Sequence, residues 1–183
     1  MIDLQPFNLE NIRTHYKWNN DKELNFYDSE YPHKIETFES FLSRIKSVMD
    51  SSNDQARLFE IIDLYDNKII GVIDVYGIDH FHKRCFVSCT IGDKSYRGRG
   101  LGREALNKIL YFCFEELKMK KVGATSFDFN HAWIRTLKMT GFKKEGELRK
   151  HVKKAGVFRN KLLFSILESE FIPLHNQKVK AAM

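Results

Sequence analysis

The stretch that most restricts the fold is SYRGRGLGREAL, Ser95 to Leu106, in which three glycines alternate with other residues just before an apolar helical pattern. Glycine adopts backbone conformations that other residues avoid, so this segment predicts a tight turn that opens a helix. A β-branched run, CFVSCTIG, precedes it and reads as a strand. The first turn of a helix leaves backbone N–H groups unpaired, and such groups bind phosphate oxygens. The segment therefore predicts a strand-to-helix turn that binds an anion. Residues 97–103 of this segment are called the glycine turn below.

The predicted anion site combines a glycine-rich backbone with three guanidinium groups. Its members are Arg97, Gly98, Arg99, Gly100, Leu101, Gly102 and Arg103. Because glycine has no Cβ atom, an anion can approach the main chain closely. The patterns G-x-x-x-x-G-K-[ST] and G-x-G-x-x-G are not matched here, which disfavours an enzyme that uses nucleoside triphosphates or nicotinamide cofactors. A flexible loop without a ligand is the alternative that the pattern leaves open.

Composition indicates one compact domain. The chain has 183 residues, is 43% hydrophobic and carries a formal net charge of +6, which suits a polyanionic ligand. Its three cysteines form no C-x-x-C pair, so neither a disulfide framework nor a metal site is predicted. Neither a signal peptide nor an apolar stretch long enough to span a membrane is recognisable. We expect a cytoplasmic protein with a single domain over residues 1–175 and a basic, disordered tail over residues 176–183.

Hydrophobic periodicity predicts, in chain order, a strand, two helices, three strands, a helix, a strand, a helix and two strands. Thr37 is the predicted N-cap of the second helix, and Gly141 is the predicted C-cap of the last one. A turn at Lys154-Ala155-Gly156 closes the final hairpin. Adjacent strands combined with strand–helix–strand units indicate an α/β (α+β) fold, with a mixed central sheet of about seven strands and helices on both faces.

Three motifs in succession resemble the GNAT superfamily of acetyl-CoA-dependent N-acetyltransferases. RGRGLG is similar to the superfamily's [RQ]-x-x-G-x-[GA] motif, with Arg97, Gly100 and Gly102 at the defining positions. Asn130 is followed by Gly141-Phe142 at the distance typical of the family. The closing hairpin resembles that of the branch containing ribosomal-protein and spermidine N-acetyltransferases. The resemblance covers nearly the whole chain and is weakest over residues 1–55.

The resemblance implies the GNAT fold, in which the strand before the glycine turn splays from its neighbour at a bulge. The pantetheine arm of acetyl-CoA lies in the resulting gap and pairs with backbone groups, which here would belong to Thr90, Ile91 and Gly92. Amides from Arg97 to Arg103 would hold the pyrophosphate, and Asn130 would lie near the pantetheine or thioester end. The implied reaction is direct attack of a neutral primary amine on the thioester in a ternary complex.

The positions that supply the acid and the base in this family are altered. Leu137 stands where many relatives have a tyrosine acid, Trp133 stands where the ribosomal-protein branch has a serine, and Val87 aligns with a strand carboxylate often used as a base. Loss of the acid matters less, because coenzyme A leaves readily as a thiolate. Asp74 is the predicted base, since it lies on the strand beside the splayed one. The alternatives that remain open are Glu60, Asp79, His80 and His82.

An aromatic and acidic segment, ELNFYDSEYPHK, lies between the first two predicted helices, where the family builds its acceptor site. We predict that Tyr27, Glu30 and Tyr31 contact the acceptor, because aromatic rings and carboxylates suit a cationic amine. Trp133 either lines the same pocket or belongs to the core. A polar connection that binds nothing is the alternative for the segment.

The predicted function is that of an acetyl-CoA-dependent N-acetyltransferase that acts on a primary amine of a small molecule or a protein N-terminus. A polyamine, an amino sugar on a nucleotide carrier, an aminoglycoside and a protein N-terminus remain open as acceptors, although the basic surface mildly disfavours a free polyamine and mildly favours a nucleotide sugar or a ribosome-bound substrate. We expect a monomer or homodimer that uses no metal and binds neither a membrane nor a specific nucleic acid, because no nucleic-acid-binding motif is recognised. The altered acid and base positions motivate one alternative, a catalytically degenerate acetyl-CoA-binding sensor or regulatory protein.

Overall fold

The computed structural model describes residues 1–50 and 54–172. Within those ranges the strands and α-helices are β1 (Ile2–Pro6), α1 (Ile12–Asn19), α2 (Lys22–Asp28), α3 (Phe38–Met49), β2 (Ala56–Asp63), β3 (Lys68–Asp79), β4 (Arg84–Ile91), α4 (Leu101–Tyr111), β5 (Lys121–Phe127), α5 (His131–Met139), β6 (Lys143–Lys154) and β7 (Val157–Leu167). The predicted order is confirmed except for α2, which lies in the segment predicted as a connection. The predicted tail at residues 176–183 lies outside the described residues.

All seven strands belong to one sheet, with the order β1-β2-β3-β4-β5-β7-β6. Neighbouring strands are antiparallel except β4 and β5, which are parallel and are joined through α4. A parallel pair requires such a crossover connection, whereas antiparallel neighbours can be joined by short turns. The predicted mixed sheet of about seven strands is therefore confirmed.

The parallel strands β4 and β5 pair over only three residues. Arg84–Phe86 lies opposite Lys121–Gly123, and no further pairing joins the two strands. Beyond this point β4 stays paired with β3 as far as Ile91, and β5 stays paired with β7 as far as Phe127. The facing edges of β4 and β5 therefore diverge, as the predicted splay requires.

A bulge next to this divergence lies in β3 rather than in β4. The register between β3 and β4 shifts between Tyr76 and Asp79, which lie opposite Phe86 and Arg84. Gly77, within the shift, has a φ angle of 57°. A bulge bends its strand and increases the local twist, which turns the end of β4 away from β5.

Helices cover both faces of the sheet. On one face, α4 and α5 contribute to a core whose buried residues include Ile73, Val75, Leu106, Ile109 and Leu137. On the other face, α1 and α3 form a smaller core whose members include Ile12, Phe41, Ile45, Leu58 and Val72. Because side chains alternate along a strand, Asp74 lies on the same face of β3 as Val72, the face of α1 and α3.

A buried contact between a histidine and a glutamate attaches α1 to the sheet. His15 Nε2 lies 2.7 Å from Glu60 Oε1 on β2, and both side chains are buried. The Asn11 side-chain amide also donates to Glu60, at 2.9 Å. The ring of His15 contacts Trp18 edge-on at a centroid distance of 5.3 Å, and Trp18 in turn covers Gly92 after β4. The segment between β4 and the glycine turn is therefore packed against α1.

The predicted N-cap Thr37 and the closing turn are confirmed, whereas the C-cap of α5 is Thr140 and the predicted C-cap Gly141 is the residue after it. The Thr37 hydroxyl accepts a hydrogen bond from the Ser40 N–H at 3.3 Å, as an N-cap does. Gly141 follows α5 with a φ angle of 100°, as a C-terminal glycine does. The hairpin of β6 and β7 turns at Ala155 and Gly156, whose φ angles of 48° and 84° match the primed turns of two-residue hairpins.

Replacement of Gly92 by alanine should destabilise the fold. A Cβ atom there would lie 2.1 Å from the nearest Trp18 ring atom, so the ring would have to shift and would disturb its edge-on contact with His15. We expect Gly92→Ala to lower the free energy of unfolding by about 1–3 kcal/mol, measured by urea denaturation. Gly146→Ala on β6 is the control, since its Cβ would make only an ordinary contact with Leu163 at 3.6 Å. Equal losses in the two variants would contradict this packing role.

Candidate active site

A cleft of about 1210 Å³ opens where β4 and β5 diverge. One end lies at the glycine turn and the start of α4, and the other lies among α2, β3 and β7. Because Asp74 shares the face of Val72 whereas α4 covers the other face of the sheet, the cleft passes through the gap between the strands. The predicted site residues that line it are Tyr27, Glu30, Asp74, Thr90, Ile91, Arg97, Gly98, Gly100, Leu101, Gly102, Arg103, Asn130 and Trp133.

Three predicted site residues lie away from the lining of this cleft. Gly92 is buried beneath Trp18. The Arg99 guanidinium stands over the Tyr96 ring, 5.1 Å from its centroid. Tyr31 is 76% exposed in the connection after α2. The cleft therefore brings together the other predicted residues but not these three.

The glycine turn presents open main chain at the start of α4. Gly98 and Gly100 have φ angles of 75° and 79°, and a Cβ atom on either would meet no atom within 4 Å. The first amides of α4 that find a backbone partner are those of Arg103 and Glu104, which donate to the Gly100 carbonyl at 3.0 and 3.2 Å. Within the described chain, the N–H groups of residues 98–102 donate to no backbone acceptor. The turn therefore offers several free donors on one open surface.

Two arginines beside the turn hold further unused donors. Arg97 Nε donates to the Ile91 carbonyl at 3.0 Å, and its Nη1 donates to Glu23 at 2.8 Å. Its Nη2 atom and Nε of Arg103 are buried without a hydrogen-bond partner among the described residues. Buried unpaired donors are unfavourable, so an anion that accepts from them would be stabilised. The turn and these two donors fit a phosphate or diphosphate group.

Asp74 lies at the opposite end of the cleft, on the strand beside the splayed one. Its carboxylate accepts a hydrogen bond from the Ser88 hydroxyl at 2.5 Å, and Ser88 is its direct cross-strand partner. Desolvation raises the pKa of Asp74 to about 6, against the hydrogen bond from Ser88, and the nearby charge of Asp28 adds to the increase. A carboxylate with this pKa is ionised at neutral pH and still accepts a proton readily.

Asp28 and Tyr76 were not predicted, and both line the same end of the cleft. Asp28 is the last residue of α2. Its pKa is raised, because desolvation outweighs the opposing effect of the Lys154 charge. Burial, followed by the charges of Asp74 and Asp28, raises the pKa of the Tyr76 phenol to about 12. The alternation of side chains along β3 could have indicated Tyr76, which lies two residues after Asp74 on the same face.

Asn130 and Trp133 connect α5 to the free edge of β5. The Asn130 side-chain oxygen caps α5 by accepting the Trp133 N–H at 3.3 Å. The Trp133 indole N–H donates to the Thr125 carbonyl at 3.0 Å. Trp133 lines the cleft and also packs against the main core, and a contact with the acceptor stays a prediction. Leu137 is fully buried in that core.

The other candidate bases lie away from the cleft. Glu60 is buried in its contact with His15. Asp79, His80 and His82 follow the bulge at the turn between β3 and β4, and none of them lines the cleft. Asp74 is therefore the one of the five candidates that the fold places at this site.

Residues 1–50 and 54–172 contain neither a metal-binding cluster nor a membrane-spanning helix. No group of three or more His, Cys, Asp or Glu side chains there could hold a metal ion. None of the helices in those ranges has the length and apolar character needed to cross a membrane. Cys85, Cys89 and Cys113 are free thiols.

Comparison with known proteins identifies the family. Residues 2–143 match the Acetyltransferase (GNAT) domain, and the chain therefore belongs to the GNAT acetyltransferase family, whose acetyl donor is acetyl-CoA. Similar relatives include the SPbeta prophage-derived N-acetyltransferase YokL of Bacillus subtilis, which is 33% identical over 106 residues, or 58% of this chain and 59% of that protein. The alignment to the protein named "Probable N-acetyltransferase YjcK" of the same species has 30% identity over 120 residues and covers 64% and 65% of the two chains. The matches thus span about three fifths of the length of these relatives.

Other similarities extend over most of the chain. The spermidine N(1)-acetyltransferase of Escherichia coli K12 is 23% identical over 174 residues, which is 95% of this chain and 90% of that protein. The crystal structure of spermidine N-acetyltransferase from Vibrio cholerae in complex with CoA and spermine superimposes with a TM-score of 0.85 and 21% identity. It covers 92% of this chain and 96% of the other. The predicted GNAT fold is confirmed.

Replacement of Gly100 by leucine should abolish tight binding of acetyl-CoA. The new side chain would fill the open space above residues 98–102 and keep phosphate oxygens away from the amides. We expect the dissociation constant, measured by calorimetry, to rise by at least about tenfold. Gly156→Leu in the closing turn is a matched control, since Gly156 has a φ angle of 84° and also meets no atom within 4 Å. Unchanged affinity in Gly100→Leu, or equal losses in both variants, would show that the anion binds elsewhere.

Proposed function

We propose that this protein is a cytoplasmic N-acetyltransferase that transfers the acetyl group of acetyl-CoA to a primary amine held between Asp28 and Asp74. The observation that supports this proposal is the through-sheet cleft, which joins free amide donors at one end to desolvated carboxylates at the other. Anion recognition and proton acceptance are the two functions that an amine acetyltransferase needs on either side of the acyl group. We also propose that residues 1–175 act as one domain.

The donor end of the cleft fits the phosphates of acetyl-CoA. The amides of residues 98–102, with the buried donors of Arg97 and Arg103, would hold the diphosphate. The diverging edge of β4 at Thr90 and Ile91 would lie beside the pantetheine, with Asn130 across the gap. When bound, acetyl-CoA supplies an activated acetyl thioester.

The acceptor end supplies charge and a proton acceptor. Asp28 attracts the ammonium form of the acceptor, and the exposed ring of Tyr27 offers a cation–π surface. Asp74 takes the proton that must leave the ammonium before attack, and the Ser88 hydroxyl holds its carboxylate in place. The Tyr76 phenol keeps its proton at neutral pH and donates a hydrogen bond to negative charge that develops in the cleft.

Names of relatives support an amine as the acceptor. The solved structures that superimpose on this chain include spermidine N-acetyltransferases, one of them bound to spermine. One neighbour of this fold is described as dodecameric, and the expectation of a monomer or homodimer stays a prediction for this chain.

Replacement of Asp74 by asparagine should remove most of the activity. We expect kcat/KM for acetyl transfer to fall about 10²–10⁴-fold, as loss of a general base does, with acetyl-CoA affinity retained. Free thiol released from acetyl-CoA in the presence of a panel of primary amines provides the measurement. In the wild-type protein the rate should fall as the pH drops through about 6, because a protonated Asp74 cannot accept a proton.

Asp79→Asn is the control for this test, since Asp79 lies near the end of the same strand but outside the cleft. It should retain wild-type activity. Activity of Asp74→Asn at the wild-type level would exclude Asp74 as the base. Tight binding of acetyl-CoA without thiol release on any amine would favour the sensor alternative.

A further inference from the structure

Lys154 is a buried cation directly behind the acceptor end of the cleft. Its side chain comes from the last residue of β6, and the residue is only 7% exposed. The ammonium group donates to the Ser29 carbonyl, one residue after α2. It lies 5.5 Å from the ring centroid of Phe26 and 5.1 Å from that of Phe127. Lys154 thus joins the hairpin of β6 and β7 to the segment that carries Asp28.

The surroundings of this ammonium have the chemistry of an amine-binding subsite. Two aromatic rings and a carbonyl oxygen contact it, and the charges of Asp28 and Glu30 favour its protonated form. Burial acts in the opposite direction and lowers the pKa of Lys154. A second ammonium group of a bound polyamine would need the same rings, carbonyl and carboxylates.

We infer that Lys154 fills this cation subsite with the protein's own ammonium group and thereby makes the protein selective for acceptors that carry a single ammonium. The inference rests on the proposed function, because it concerns the acceptor of the same cleft. A polyamine that extended beyond Asp28 would place its next positive charge against Lys154. Like charges in a partly desolvated site repel strongly, so such acceptors bind poorly.

The remaining carboxylates of the cleft are already paired with basic side chains. Glu23 forms ion pairs with Lys94 at 2.6 Å and with Arg97 at 2.8 Å. Glu30 accepts a hydrogen bond from Lys161, which lowers its pKa, and lies 3.8 Å from His151. An incoming ammonium would have to displace a lysine or arginine from either carboxylate and leave that cation without its partner.

Asp28 and Asp74 are the carboxylates of the cleft that form no ion pair with a basic side chain among the described residues. In the proposed reaction Asp74 receives the proton, so Asp28 alone is left to neutralise charge on the acceptor. This arrangement accommodates one ammonium group. The aromatic rings of Tyr27 and Phe129, 5.8 Å apart, offer the rest of the acceptor an apolar surface.

The test compares phenethylamine, a monoamine with an aromatic group, with spermidine near neutral pH. For the wild-type protein we expect kcat/KM to favour the monoamine by at least about tenfold. In Lys154→Met, whose side chain keeps a similar length without charge, the ratio should shift toward spermidine by at least about tenfold. Lys154→Arg keeps the charge and should keep the preference for the monoamine.

Lys153→Met is the matched control, because Lys153 is exposed on the same strand with its ammonium over a ring, Phe158 at 5.7 Å. It should leave the ratio unchanged. A wild-type protein that uses spermidine as well as the monoamine would overturn the inference, as would equal shifts in Lys153→Met and Lys154→Met.

A second readout separates this inference from the proposed function. Thiol release with either amine reports acetyl transfer, and the ratio of the two amines reports the role of Lys154. If neither amine is acetylated, calorimetry of spermidine binding to the CoA-saturated wild-type and Lys154→Met proteins tests the subsite by itself. At least about tenfold tighter binding by the variant would support the inference, and equal affinity would contradict it.

Discussion

The early end of the pairing between β4 and β5 is the constraint on which the candidate site depends. Phe86 and Gly123 form the last pair, and a Cβ atom on Gly123 would lie 2.5 Å from the Phe86 ring. The ring therefore occupies the place of a side chain on β5. Together with the bulge at Gly77, this packing turns β4 away from its neighbour. Without the gap, a closed sheet would separate the glycine turn from Asp74.

Both ends of the cleft carry polar groups that are incompletely paired. The two ends differ in electrostatic character because these groups are donors at one end and carboxylates at the other. At the start of α4 the free groups are amides and the guanidinium donors of Arg97 and Arg103. At the opposite end lie the carboxylates of Asp28 and Asp74, which form no ion pair among the described residues and whose pKa values are raised by desolvation. Polar groups left unpaired at a desolvated surface have a high free energy, so each end favours a ligand of complementary charge.

The short helix α2 connects both ends of the cleft. Near its start, Glu23 forms an ion pair with Arg97 of the glycine turn. After its end, the Ser29 carbonyl accepts a hydrogen bond from Lys154, and Glu30 accepts one from Lys161 on β7. The helix that carries Asp28 is thus held by Arg97 of the glycine turn on one side and by the closing hairpin on the other. Contacts of this kind can vary without a change of the sheet, since the fold does not specify function.

The sequence by itself determined the order of the elements, the glycine turn with its open amides, the N-cap Thr37 and the residues of the family motifs. These features depend on local periodicity and on the backbone freedom of glycine, both of which can be read within a few residues. It did not reveal α2, whose seven residues mix aromatic and acidic side chains, although Asp21 caps it through the Glu23 and Leu24 amides. Nor did it reveal that Gly92 would be covered by Trp18.

Only the tertiary structure decided which carboxylates remain available for an acceptor. Glu30 was predicted as an acceptor contact, but Lys161, which lies 131 residues away in sequence, pairs with it. Lys154 reaches Ser29 across 125 residues and stands beside Asp28. The strength with which a carboxylate attracts a ligand cation depends on which opposite charges the fold brings within a few ångströms of it. It also depends on how much water the fold excludes from the carboxylate. Neither quantity is encoded in the local pattern around the carboxylate.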